Sequence, residues 1–201
     1  MSTITDITNL TVALTRRPEI PDVTASAIRM ATMRAHHTDF FPRDLTSNAI
    51  PLVGGVPPSG MIDLPNISAS LVRLRSIKTI QMLSPEGLPV EELEFRSQDD
   101  LFTKEGTRRP HIYTLLGDTL RLYPLSSSQS AQIFFFQNPA LAGAQYSSWI
   151  ATLYPDDIAA WAATIVFART GFAEMANQFN QLYVVPFQQL LVASHLLGNV
   201  S

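Results

Sequence analysis

Four histidines are the residues of this chain best suited to chemistry, and their spacing limits what they can do. His36 and His37 are adjacent with Asp39 close by, while His111 and His195 lie far off in the sequence. Neighbours on a helix point about 100° apart, so His36 and His37 do not converge on one ion. A zinc site would need further ligands from His111, His195 or a distant carboxylate. A polar structural role is the simpler reading of all four. Spacing leaves a Ser-His-Asp arrangement open, but no Gly-x-Ser-x-Gly elbow nominates a nucleophile. Gly54-Gly55 lacks the lysine and the following helix of a phosphate-binding loop. Glu91, Glu92, Glu94, Asp99 and Asp100 form an acidic cluster without the spacing of a calcium loop, which reads as a solvated strand edge and turn. Phe134, Phe135 and Phe136 could stack nucleobases, yet no basic residue is interleaved with them. The sequence thus nominates no catalytic residue, no metal and no cofactor.

Only 15% of the 201 residues are charged. That leaves much weakly polar surface, of the kind covered by partners or by copies of the same chain. A net charge of −3 argues against a dedicated nucleic-acid binder, which needs a basic face to neutralise phosphates. With no cysteine there are no disulfides or thiolate metal sites, which suits a cytosolic origin. The first residues lack the basic-then-apolar layout of a signal peptide. Ile158–Ala168 is shorter than the roughly 20 apolar residues that span a bilayer. A soluble chain of one or two small domains, with no membrane partner, is the expectation.

The elements that must position these side chains are helices at both ends. Tyr154-Pro155-Asp156-Asp157 reads as a helix start, with proline in the first turn and carboxylates at the positive end of the macrodipole. The next eleven residues are almost wholly apolar, as in a helix buried on most of its faces, and Arg169-Thr170-Gly171 closes it. A second helix follows, with Phe172, Met175, Ala176, Phe179, Leu182 and Tyr183 spaced as one buried stripe. Pro186 should kink or restart it, and Phe187, Leu190, Leu191 and Leu197 continue an apolar face. At the N-terminus, Ile4, Ile7, Leu10 and Leu14 mark a short helix from Thr3 to Thr15. Pro21-Asp22 opens another that ends near His37, with Val23, Ala27, Met30 and Ala31 inward.

In the middle the period falls to two. Pro51–Pro58 is a punctuating loop. Val72 and Leu74 alternate with Leu71, Arg73 and Arg75, and Leu93 and Phe95 flank Glu94. Ser84-Pro85-Glu86-Gly87 reads as a turn between strands at Ile77–Leu83 and Val90–Arg96. Gly117-Asp118 joins His111–Leu116 to Thr119–Pro124 as a tight hairpin. Ser126-Ser127-Ser128 leads into Ala131–Gln137, where three successive phenylalanines predict burial on both faces. The fold class is α+β: N- and C-terminal helices packed as a helical bundle, carrying a central antiparallel β insertion. The expected domains are a helical one of residues 1–45 and 146–201 and a β-rich one of residues 46–145.

The order of short motifs carries more than their chemistry. Arg34-Ala35-His36-His37-Thr38-Asp39-Phe40-Phe41-Pro42-Arg43-Asp44 is followed by Leu64-Pro65, a turn at Leu83–Pro89, and Ser97-Gln98-Asp99-Asp100-Leu101. Then come Pro110-His111-Ile112-Tyr113, Gly117-Asp118-Thr119-Leu120-Arg121-Leu122-Tyr123-Pro124 and Ile133-Phe134-Phe135-Phe136-Gln137-Asn138-Pro139. Ser148-Trp149-Ile150 and Tyr154-Pro155-Asp156-Asp157-Ile158 complete the series. In this order, from about residue 10 to about 195, the chain resembles the head-to-tail adaptor (connector) proteins of tailed bacteriophages, like the tubular or gatekeeper adaptors of short-tailed phages. The Pro51–Gly60 loop has no place in that pattern.

The resemblance implies a structural virion protein, made in the bacterial host cytoplasm and located at the head-tail interface. It implies a ring, commonly of twelve copies, docked beneath the portal protein, extending the DNA channel and giving the downstream tail or nozzle protein a platform. Genome DNA would pass through without sequence-specific binding. On that reading the portal contacts are Phe187, Leu190, Leu191, Leu196 and Leu197, because a terminal amphipathic helix has only one side on its own domain. The competing reading has these leucines complete the hairpin's own core. Phe40 and Phe41 are candidates for the contact between subunits, or for sealing the subunit's own joint. Glu91, Glu92, Glu94, Asp99 and Asp100 are candidates to face the channel. Two other classes compete: a small-ligand or carbohydrate-binding module using the β insertion, and a metal-assisted hydrolase using His36, His37 or His111.

Overall fold

In a computed structural model of the protein, the residues described are 4–51, 61–67, 71–84, 86–97, 112–123, 130–142 and 146–198. The chain forms two compact units, one of residues 1–44 with 138–201 and one of residues 45–137. The fold class is α+β, with helices at both ends and strands between.

The helical unit is built around α5 (Pro155–Arg169), preceded by α4 (Trp149–Leu153). Pro155 stands in the first turn beside Asp156 and Asp157. At the other end Gly171 adopts φ +85°, and the Phe172 N–H reaches back to the Phe167 carbonyl at 2.9 Å, a bond of the Schellman type. Ile158 to Ala163 and Ile165 to Phe167 are buried, so α5 is enclosed as its composition predicts. Against it pack α1 (Ile4–Thr15), α2 (Pro21–His36) and α6 (Ala173–Phe179). Its alanines let those neighbours approach closely.

Two stripes fall elsewhere than the apolar spacing predicts. In α1 the buried side chains are Ile7, Thr11 and Thr15, while Leu10 and Leu14 are exposed. The threonines tolerate burial because their hydroxyls donate to carbonyls one turn back, Thr11 to Ile7 at 2.8 Å and Thr15 to Thr11 at 2.9 Å. In the last helical stretch the predicted stripe breaks at a π-helical turn, Asn180–Val184, between α6 and α7 (Val185–Gly198). There the Val185 N–H bonds to the Asn180 carbonyl, five residues back. An extra residue in a turn rotates everything after it by about 100°. Val184, Phe187 and Leu191 therefore point inward while Leu182 and Tyr183 are exposed; Phe172 and Met175, upstream of the turn, are exposed as well. Pro186 produces no restart; the helix runs on through it.

The β unit contains two four-stranded sheets. One has the order β1 (Leu45–Pro51), β8 (Ser130–Gln137), β3 (Leu74–Leu83), β4 (Pro89–Glu92), all antiparallel. The other has the order β2 (Met61–Asp63), β7 (Thr119–Tyr123), β6 (Ile112–Leu116), β5 (Glu94–Phe95). Its β2–β7 and β6–β7 pairs are antiparallel and its short β5–β6 pair is parallel. The chain passes from one sheet's edge to the other's through β4 and β5. Leu93 is buried at the bend, with its N–H still on Ile80 of β3 at 2.8 Å. A single helical turn, α3 (Leu64–Ile67), follows β2, and its Leu64 N–H bonds to the Asp118 carbonyl at 3.1 Å.

Both predicted turns form, with Gly87 at φ +80° and Gly117 at φ +61°. The core of this unit draws on both sheets, among them Ile50, Ile80, Ile133, Phe135, Leu120 and Leu122. Along β8 burial alternates: Ala131, Ile133 and Phe135 are buried, whereas Phe134 and Phe136 are half-buried. The phenylalanine triplet is thus one-sided, because β8 is covered by the core on one face only. Residues 71–73, where the alternation predicts strand, form a 3₁₀ turn before β3.

Candidate functional site

The helical unit brings together side chains that no spacing rule pairs. His36, in the last turn of α2, is 2% exposed, and Asp44 follows it in the 3₁₀ turn Pro42–Asp44. His36 Nδ1 lies 2.8 and 3.0 Å from the two Asp44 carboxylate oxygens. Its Nε2 lies 2.9 Å from the Ser148 hydroxyl, 112 residues away. Ser148 is the N-cap of α4 and accepts the Ala151 N–H at 3.1 Å. The Trp149 indole N–H donates to Asp44 at 2.8 Å. One set of proton positions satisfies every group: Nδ1–H donates to Asp44, and the Ser148 hydroxyl donates to Nε2 while accepting the helix amide.

The order Ser-His-Asp is that of a hydrolase triad, but the setting differs. Ser148 is 6% exposed and its oxygen is committed to the helix cap. What the arrangement does physically is tie the end of α2, the 3₁₀ turn and the start of α4 into one joint. Sequence reading places Asp39 beside these histidines and misses Asp44 and Ser148. Asp39 instead takes His195 Nδ1 at 2.7 Å, and His37 Nε2 lies 2.8 Å from the Asn138 amide oxygen. Among the described residues no group of three or more His, Cys, Asp or Glu could hold a metal ion; His111 lies outside them.

Beside the joint is a cleft of about 300 Å³ whose lining includes Phe41, Arg43, Trp149, Leu153, Tyr154 and His195. Phe41 stacks edge-on against Trp149 at 5.4 Å and is 2% exposed. Of the two candidates for subunit contact, Phe41 is therefore core and only Phe40 is exposed. Arg43 lies over the Trp149 ring at 5.2 Å, exposed and paired with no carboxylate among the described residues.

A second surface lies along α6, the π turn and α7. Between Gly171 and Ser201 the only Asp, Glu, Lys or Arg is Glu174, yet much of this stretch faces outward. Met175, Leu182, Tyr183, Val185 and Leu190 are all exposed, Leu182 at 68%. Of the residues expected to meet the portal, Phe187 and Leu191 are buried in the unit's own core and Leu190 is exposed. The side chains of Leu196 and Leu197 lie outside the described residues. The π turn decides this division, and nothing in the apolar spacing announces it.

In the β unit, Glu92 accepts the Thr79 hydroxyl at 2.5 Å and Glu94 pairs with Arg96 at 2.8 Å. Glu92 and Glu94 are exposed and Glu91 is half-buried; Asp99, Asp100 and the loop 52–60 lie outside the described residues. Burial, and after it the charge of Glu92, pushes the Tyr113 phenol above its ordinary pKa. At the β3–β4 turn, Leu88 and Val90 are exposed at 65% and 57%. The Ser84 hydroxyl holds the nearby Glu86 carboxyl below its ordinary pKa.

No helix among the described residues is long and apolar enough to cross a membrane. A search of curated proteins gives no match. The family model described as SU10 adaptor protein matches residues 2–191, so that nearly the whole chain, both helical ends and the strands between them, lies within the match: the protein belongs to the SU10 adaptor protein family.

Proposed function

We propose that the chain is a structural subunit of the phage virion, one of twelve copies in a ring beneath the portal, which extends the DNA channel and carries the tail. The supporting observation is the α6–α7 surface. A helix facing water normally carries Lys and Glu; this one exposes Met, Leu, Tyr and Val among the uncharged Asn177, Gln178, Asn180, Gln181 and Gln189, with a single carboxylate. Large exposed apolar area, poor in charge and containing Met and Tyr, is what protein interfaces are made of. We assign this face, centred on Leu182 and Tyr183 and running to Leu190, to the portal. The buried Phe187 and Leu191 support it from beneath.

In this role the Ser148–His36–Asp44 network holds shape and makes or breaks no bond. Glu92 suits a channel wall that repels DNA phosphate and lets the genome slide, whereas the charge of Glu94 is offset by Arg96. Electron microscopy of the full chain with and without its portal tests the reading: rings on the portal are expected. A lone subunit with no circular arrangement around the channel would overturn it. Leu182→Glu should abolish portal binding with folding stability unchanged within about 0.5 kcal/mol, as for an exposed position.

A further inference from the structure

A ring uses heterologous contacts, in which two different patches on each subunit match one another. The α6–α7 face accounts for neither member of such a pair. Two other features are complementary in charge and apolar character. The cleft beside the histidine joint has aromatic walls and an exposed guanidinium, Arg43, which lies over the Trp149 ring and meets no carboxylate among the described residues. At about 300 Å³ it stands at the low end of pockets, which run from roughly 300 to 1,000 Å³. It has room for one or two side chains and none for a helix or a duplex. The tip of the β3–β4 hairpin offers a fitting occupant: Leu88, 65% exposed, two residues from the exposed carboxylate Glu86. Gly87 at φ +80° lies just before Leu88 in the turn. A leucine standing in water beside a carboxylate, with Val90 also exposed two residues on, is what an aromatic cleft with an available arginine accepts.

We propose that the β3–β4 hairpin of one copy seats in the Trp149 cleft of the next, with Leu88 between the aromatic walls and Glu86 on Arg43. The proposal rests on the ring reading above and deepens it by naming both halves of the subunit contact. The contact of Arg43 with the Trp149 ring at 5.2 Å favours an orientation of the guanidinium over the cleft, which lowers the ordering cost of pairing.

The chain has no cysteine, so the contact can be tested by placing two. Full-length Leu88→Cys and Leu153→Cys variants are mixed, assembled with the portal, and treated with a short thiol-reactive cross-linker. Covalent dimers between the two variants, and none from either alone, are expected. Rings visible by electron microscopy without mixed dimers overturn this contact and leave the ring reading intact; absence of rings for the unmodified chain overturns both. A charge exchange gives a second readout. Arg43→Glu should weaken ring assembly roughly tenfold or more, and adding Glu86→Arg should restore it; a double variant no better than the single one refutes the pairing. Should Arg43→Glu fail to fold, the cysteine experiment, which leaves Arg43 in place, still decides.

Discussion

Replacing Asp44 by alanine is the sharpest test of the histidine joint. The Asp44 carboxylate receives one buried donor, His36 Nδ1–H, and one half-buried donor, the Trp149 indole N–H. Removing it leaves the His36 donor, on a residue 2% exposed, without an acceptor where water does not readily replace it. Each unsatisfied buried donor costs about 1–3 kcal/mol. With one donor buried and one half-buried, the expected loss is roughly 2–4 kcal/mol. For a chain of this size that lowers the melting temperature by roughly 4–16 °C. Both tryptophans, Trp149 and Trp161, lie in the helical unit, so urea unfolding followed by tryptophan fluorescence reads this unit directly. Asp44→Asn keeps a carbonyl acceptor for one donor and should lose about half as much. A loss below about 1 kcal/mol for Asp44→Ala, with Trp149 emission unchanged, would refute the claim that the carboxylate holds the joint together.

Ser148→Ala removes both the cap of α4 and the hydrogen bond to His36, and should cost about 1–2 kcal/mol in the same fluorescence assay. Gly171→Ala forces a Cβ into the left-handed region with open space around it, so strain alone acts, and a loss of about 1 kcal/mol is expected by thermal melting. Burial pushes the Tyr146 phenol above its ordinary pKa, while its hydrogen bond to Thr32 at 2.7 Å acts in the opposite direction. Because the folded value exceeds the unfolded value of about 10, the contribution of Tyr146 is fully present below about pH 10 and is lost as pH rises through the folded value. Tyr146→Phe should therefore flatten the alkaline fall in stability, measured by urea unfolding between about pH 8 and pH 11. Thr11→Val should be neutral or mildly stabilising in thermal melts, since the Ile7 carbonyl keeps its backbone partner when the hydroxyl goes.

The helical ends, the enclosed Pro155–Arg169 helix with its Gly171 cap, and the two glycine turns were legible in the sequence. Each depends on local rules: proline and carboxylates at a helix start, a left-handed residue at its end, a period of two in strands. What spacing could not give were pairings across long separations. His36 finds Ser148 over 112 residues, and no local rule pairs an α2 histidine with the cap of another helix.

The buried faces of two helices escape sequence reading for a related reason. Apolar spacing assumes an unbroken period of 3.6, and it counts leucine as inward and threonine as outward. In Ile4–Thr15 the neighbouring alanine-rich helix favours small threonines whose hydroxyls are satisfied within the helix. In the last helical stretch a single π turn rotates Tyr183 outward and Val184 inward. The sequence by itself determined that this chain would fold as α+β and present little charge to its surroundings. Only the tertiary packing decided which of its apolar residues became core and which were left facing outward, because burial depends on what a helix meets in space and not on its own sequence.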